Sequence, residues 1–229
     1  MSKINFSKKY YIYSTHKTST QSLRLMFDST CHIHRLCNAK YTKNEFINDL
    51  KKYVKNNNRK LKIITTLRIP SQRIISSYFQ MRHTDEISSK NVKENETTIM
   101  KNNVDFLVNN VKNWIRNKKY PKESLYEMMD IFNFTFEDIE INKKKNYGFY
   151  KNNLMELYII DFESVIGEKK LQYLENIFGS KFIDKQANKS NEKIYYNKYK
   201  KVKQIIGDEF KNLIDDDYID LINLKKNLF

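Results

Sequence analysis

The sequence predicts an α/β protein, a parallel β-sheet flanked by helices, folded as a single domain over residues 1–229. Two observations carry this expectation. Short β-branched or aromatic runs, residues 10–14 (YYIYS) and 61–67 (LKIITTL), alternate with stretches whose apolar residues recur at helical spacing. At 229 residues the chain can bury one sizeable core but is short for two. Such alternation favours a parallel sheet with covering helices and puts ligand-binding loops at the carboxyl ends of the strands.

The elements are expected in this order. After the strand at 10–14 comes a helix over 18–28, with Leu23, Met26 and Phe27 on its apolar side. A second strand covers 31–36 (CHIHRL), and Phe46, Leu50, Tyr53 and Val54 mark a helix over 44–56. Pro70, suited to a first helical turn, starts a helix after the strand at 61–67. Residues 84–100 are polar and read as a loop, followed by helices over 104–115 and 124–132. Residues 147–150 and 154–162 form a hairpin whose second arm is the last core strand, and helices follow over 169–178, 194–206 and 210–228. The stretch around 84–146 is the variable part of the domain.

Composition narrows the function classes. Forty per cent hydrophobic residues, with 14% aromatic, exclude a wholly disordered chain. The formal charge of +15 draws anionic ligands, among them nucleic acid, acidic membranes and phosphorylated cofactors. The lysines are spread over the whole length, which is the pattern of a compositional bias rather than of a binding tail. Cys31 and Cys37 are too few for a disulfide framework and read as free thiols. No apolar run approaches the roughly 20 residues that span a membrane, and the first residues do not resemble a secretion signal. The expectation is a cytoplasmic protein, with peripheral membrane contact left open.

Two stretches carry chemistry. Residues 10–23 run from a strand through a polar loop into a helix, a geometry that aims backbone N–H groups and a helix dipole at one point. Lys17 adds a full charge there, and Thr18, Ser19, Thr20 and Ser22 add hydroxyl donors. No glycine occurs in the loop, so the Gly-x-x-x-x-Gly-Lys pattern of nucleotide kinases is missing. Taken alone, the loop reads equally as an anion site or as a Ser/Thr-rich helix cap with a solvated lysine. The second stretch, 61–78, is again strand, turn and helix. Arg68 stands at the strand end and Ser76 about two turns into the helix, where a guanidinium fork and a hydroxyl can meet one phosphate. Taken singly, Arg73 reads as a solvated helix residue and Ser76 as a small packing residue.

Together these stretches resemble the sulfotransferase family. His16-Lys17-Thr18-Ser19-Thr20-Gln21-Ser22-Leu23 is similar to its 5′-phosphosulfate loop, and Arg68-Ile69-Pro70-Ser71-Gln72-Arg73-Ile74-Ile75-Ser76-Ser77-Tyr78 to its 3′-phosphate motif. Ser19 stands in place of the usual glycine and Ile69 in place of the usual aspartate. The resemblance implies a P-loop nucleotide-kinase-like fold and a donor, 3′-phosphoadenosine 5′-phosphosulfate, that leaves as 3′-phosphoadenosine 5′-phosphate. It implies a cofactor site made of Lys17, Thr18, Ser19, Thr20, Gln21, Ser22, Arg68 and Ser76, with Lys193 added from a late segment (188–201) similar to the one that closes over the nucleotide. It also implies a hydroxyl acceptor of carbohydrate or surface-glycan type, and no required metal.

His32 and His34 lie two apart in the CHIHRL run, so on a regular strand both face one way. The family often places a base on a His-x-His strand, which makes His34, with His32 as the alternate, the candidate catalytic residue beside Lys17. A structural histidine is the next reading after the base, and a metal ligand a lesser one because no third ligand lies nearby. Glu163, after the late strand, reads as a helix-capping or loop-ordering residue. Two other classes compete: a basic nucleic-acid-binding module that stacks bases on its tyrosines, with no nucleic acid expected on the sulfotransferase reading, and a kinase on the same fold.

Overall fold

The computed structural model describes residues 4, 6–14, 20–27, 30–33, 42–79, 99–117, 123–184, 194–207 and 209–228, apart from the side chains of Thr20, Gln21, His32, Asn212 and Leu213. The described chain separates into two compact units. The first comprises Met1–Arg68, Lys122–Ala187 and Asn223–Phe229, and the second Ile69–Pro121 and Asn188–Ile222.

The first unit holds the sheet. Its strands are β1 (Tyr10–Tyr13), β2 (Thr30–Ile33), β3 (Leu61–Leu67), β4 (Glu140–Asn142), β5 (Tyr147–Lys151) and β6 (Met155–Asp161), in the order β2-β1-β3-β6-β5-β4. β2, β1, β3 and β6 are mutually parallel, with Ile12 opposite His32 and Ile64, and Leu67 opposite Asp161. β5 and β4 run antiparallel. The sheet is therefore mixed, which corrects the expectation of a parallel sheet. The reason is local: three residues join β5 to β6, and a link that short can only turn the chain back on itself. Asn152 fixes that turn, its Oδ1 accepting from the N–H groups of Leu154 (2.8 Å) and Met155 (2.9 Å).

Helices cover both faces. On one, α1 (Thr20–Met26), α6 (Phe162–Ile166) and α7 (Lys170–Phe178) pack Leu23, Met26, Val165, Leu174 and Ile177 against Tyr10, Ile12, Ile64 and Ile160. Alternation sends Tyr11 to the other face. There Phe6 bridges Tyr11 (6.3 Å between ring centroids) to Phe46 and Tyr53 of α2 (Lys43–Asn57), and Phe46 in turn meets Phe132 of α5 (Ser124–Phe132). α2 starts at a capping box in which Thr42 accepts from the Glu45 N–H while Glu45 accepts from the Thr42 N–H.

The second unit is helical: α3 (Pro70–Tyr78), α4 (Val104–Arg116), α8 (Tyr196–Ile206), α9 (Lys211–Asp216) and the start of α10 (Ile219–Leu228), whose last turns belong to the first unit. Tyr78 meets Trp114 edge-on at 5.4 Å, and Phe79 meets Tyr199 at 5.3 Å. The Lys198 ammonium donates to the carbonyls of Ile99, Met100 and Asn102 at 3.2, 2.6 and 2.5 Å. Among the described residues no helix is long and apolar enough to cross a membrane.

Phe46 is fully buried and joins Phe6 to Phe132, so Phe46→Ala deletes the contact that ties α2 to α5. Unfolding in urea should show a loss of about 3–5 kcal/mol, the usual cost of truncating a core phenylalanine.

Candidate functional site

Strand order places the site. From β1 the chain moves to β2 on one side, and from β3 it moves on to β4, β5 and β6, all on the other, so the connections part between β1 and β3. In open α/β sheets a crevice opens outside the carboxyl ends at such a point. Both stretches singled out in the sequence leave the sheet there, one after Tyr13 and the other after Leu67.

At the end of β1, Ser14 is fully buried and its N–H donates to the Ile33 carbonyl at 3.1 Å, which holds β2 alongside. His16, Lys17, Thr18 and Ser19 lie outside the described residues, and the chain is described again from Thr20 at the start of α1. Ser22, in the first turn of α1, is buried. His32 belongs to β2; His34 and Lys193 lie outside the described residues.

At the end of β3, Arg68 is half-buried, with its guanidinium carbon 4.3 Å from the centroid of the Phe162 ring. A guanidinium over an aromatic ring at that distance gains cation–π attraction. Arg73 and Ser76, on α3 in the second unit, are both buried, so Arg73 is not a solvated helix residue, while Ser76 is placed as a small packing residue would be. The α3 N-terminus carries a carboxylate already: Asp215 accepts from the Ser71 N–H at 3.1 Å and from its hydroxyl at 3.3 Å. That N–H is committed to Asp215.

The carboxyl end of β6 adds residues that the sequence did not single out. Asp161 caps α6, its Oδ2 accepting from the N–H and the hydroxyl of Ser164, each at 2.9 Å. Its other oxygen accepts from the Lys225 ammonium, which also reaches Glu163 at 2.5 Å. The Asp161 N–H donates to the Tyr173 hydroxyl (3.1 Å), and that hydroxyl donates to the Asn146 carbonyl (2.6 Å). The expected capping role of Glu163 thus belongs to Asp161, while Glu163 pairs with Lys225. The signal was an aspartate three residues before a serine at a strand end, an ordinary helix-start pattern. Lys225, 64 residues from Asp161, had no such signal.

Burial pushes the Asp161 carboxyl up, but hydrogen bonding and charge from Lys225, with the hydrogen bond from Ser164, outweigh it and hold the group below its ordinary value. Burial raises the Tyr173 phenol. Among the described residues no group of three His, Cys, Asp or Glu side chains is arranged to hold a metal ion. Comparison of the chain with family models, with curated proteins and with solved structures gave no match.

A carboxyl held below its ordinary value stabilises the fold above the unfolded-state value, and that contribution disappears as pH falls through the folded one. Asp161→Asn should therefore cost about 1–3 kcal/mol at pH 7, since Lys225 keeps Glu163 as a partner. The stability gap between wild type and variant, measured by urea unfolding, should narrow steadily below about pH 4.

Proposed function

We propose that the chain is a sulfotransferase that moves a sulfuryl group from 3′-phosphoadenosine 5′-phosphosulfate to a hydroxyl of a carbohydrate acceptor. The observation that carries this reading is the adjacency of β1 and β3 as parallel neighbours, each followed directly by one of the two motif-like stretches, where their onward connections diverge. A nucleotide with phosphates at both ends needs two anion sites side by side, and two neighbouring strand ends supply that spacing. The +15 charge favours a multiply anionic donor.

On this reading the loop of Lys17, Thr18, Ser19, Thr20, Gln21 and Ser22 receives the 5′-phosphosulfate, and Arg68 the 3′-phosphate. The resemblance gives Ser76 and Lys193 to the same cofactor. The acceptor oxygen attacks sulfur in line, forming an O–S bond as the bond from sulfur to the bridging 5′-phosphate oxygen breaks. The departing electron pair stays on that oxygen, where Lys17 stabilises the growing charge. The acceptor proton passes to His34, or to His32, as a neutral imidazole at pH 7.

Calorimetry tests the cofactor. 3′-Phosphoadenosine 5′-phosphate should bind and raise the melting temperature, as a ligand selective for the native state does. Stabilisation by ATP with none from the bisphosphate would move the chain to the kinase reading, and salt-steep binding of nucleic acid without nucleotide selectivity would move it to a nucleic-acid module.

The proton acceptor is tested separately. His34→Ala should lower sulfuryl transfer by roughly 10²–10⁴-fold with cofactor affinity nearly unchanged. The same loss in His32→Ala alone would exchange the two roles; full activity in both would place the base elsewhere.

A further inference from the structure

We infer that Phe162, held by the Asp161–Lys225 pair, is a positioning residue that orients Arg68 for the anion at the carboxyl end of β3; the inference rests on the cofactor reading above. Leu67 and Asp161 are the last partners in the β3–β6 register, so Arg68 and Phe162 are each the next residue of two parallel neighbours. Their side chains meet there, guanidinium carbon to ring centroid at 4.3 Å. An arginine at a strand end can rotate about several bonds, and holding its guanidinium carbon over a ring removes much of that freedom. The N–H edges then point in one plane, the condition for a two-pronged grip on a phosphate.

Phe162 needs its own support, because it begins a five-residue helix that is too short to hold itself. Asp161 supplies it. One carboxylate oxygen ties down Ser164, which closes the first turn of α6, and the other is anchored by Lys225 from α10. Lys225 also reaches Glu163, so the residues on either side of Phe162 share one ammonium. The Tyr173 hydroxyl fixes the Asp161 backbone from α7. Phe162 is buried, and its ring is placed from both directions along the chain. The cluster reaches the anion only through Arg68, which makes its members positioning residues and not catalytic ones.

The test is the ratio of affinities for 3′-phosphoadenosine 5′-phosphate and adenosine 5′-phosphate, measured by calorimetry on the full chain. Phe162→Leu should shrink the ratio about tenfold, and Phe162→Tyr, which keeps the ring, should leave it at the wild-type value. Lys225→Met is the second variant, for the case that Phe162→Leu does not fold; it should shrink the ratio by about threefold to tenfold. A purely structural cluster would lower the melting temperature and weaken both nucleotides alike, and an unchanged ratio in Phe162→Leu or Lys225→Met overturns the inference while leaving the cofactor reading intact. A wild-type protein with no preference for the bisphosphate overturns both.

Discussion

Everything at the carboxyl edge depends on β1 having a parallel neighbour on each side. Parallel strands cannot be joined by a tight turn, so the chain must cross over twice around β1, through α1 to reach β2 and through α2 to return to β3. Crossovers in opposite directions with one handedness put the two helices on opposite faces. β1 is then covered on both sides, which is why all four of its residues are buried and why Tyr-Tyr-Ile-Tyr shows no alternation of apolar and polar positions. The same arrangement makes the onward connections of β1 and β3 run to opposite sides of the sheet, a consequence of strand order before any side chain is considered.

The strands themselves differ chemically from one end to the other. Ser14, Thr65, Thr66 and Asp161 are buried, and each lies toward the carboxyl end of its strand or just beyond it. A buried polar group costs free energy unless it is hydrogen-bonded, so its position is held by specific partners. Thr65 shares a 3.1 Å hydrogen bond with Ser124 at the start of α5, and Asp161 has Ser164 and Lys225. The amino ends are different: Lys62 and Glu156 form a looser pair at 3.7 Å with both side chains partly in water. Polar groups buried and bonded at one end, solvated at the other, give the sheet a chemical direction as well as a topological one.

Much of this was legible in the sequence because its periodicities are strong. The β-branched run of β3 and the apolar stripes of α2 and α5 locate those elements within a residue. The misses have physical causes. β4 is three residues with its first two exposed, so no hydrophobic pattern marks it. The strand reading ran through Phe162 because the apolar run continues past the end of β6, and only the Asp161–Ser164 cap signals the switch to helix. The single helix expected over 210–228 is broken after Asp216, yet Phe210, Ile214, Tyr218, Leu221, Leu224 and Leu228 are all buried at helical spacing across the break. A stripe that carries on through an interruption hides it. Lys225 lay beyond reach for a different reason, since its partner is set by tertiary packing and no local pattern encodes a contact across 64 residues.

The glycine missing from the first loop has to be weighed against how this chain makes its left-handed turns. It contains only four glycines. Among the described residues the positive-φ positions are Asn58 (φ 47°), Asn133 (φ 53°), Asn146 (φ 54°) and Gly179 (φ 65°). Asparagine takes that conformation at modest cost because its short amide can bond locally, and here it closes α2 and α5 where glycine is the commoner residue. Glycine takes the same place at the end of α7, where Gly179 is the left-handed cap, so the chain uses both residues for such bends. Among the described residues only asparagine and glycine take that conformation, so Ser19 in the place of a loop glycine implies a bend made without a positive φ. The charge of Lys17 and the position of the loop at the end of β1 weigh more, because neither depends on which residue supplies the bend.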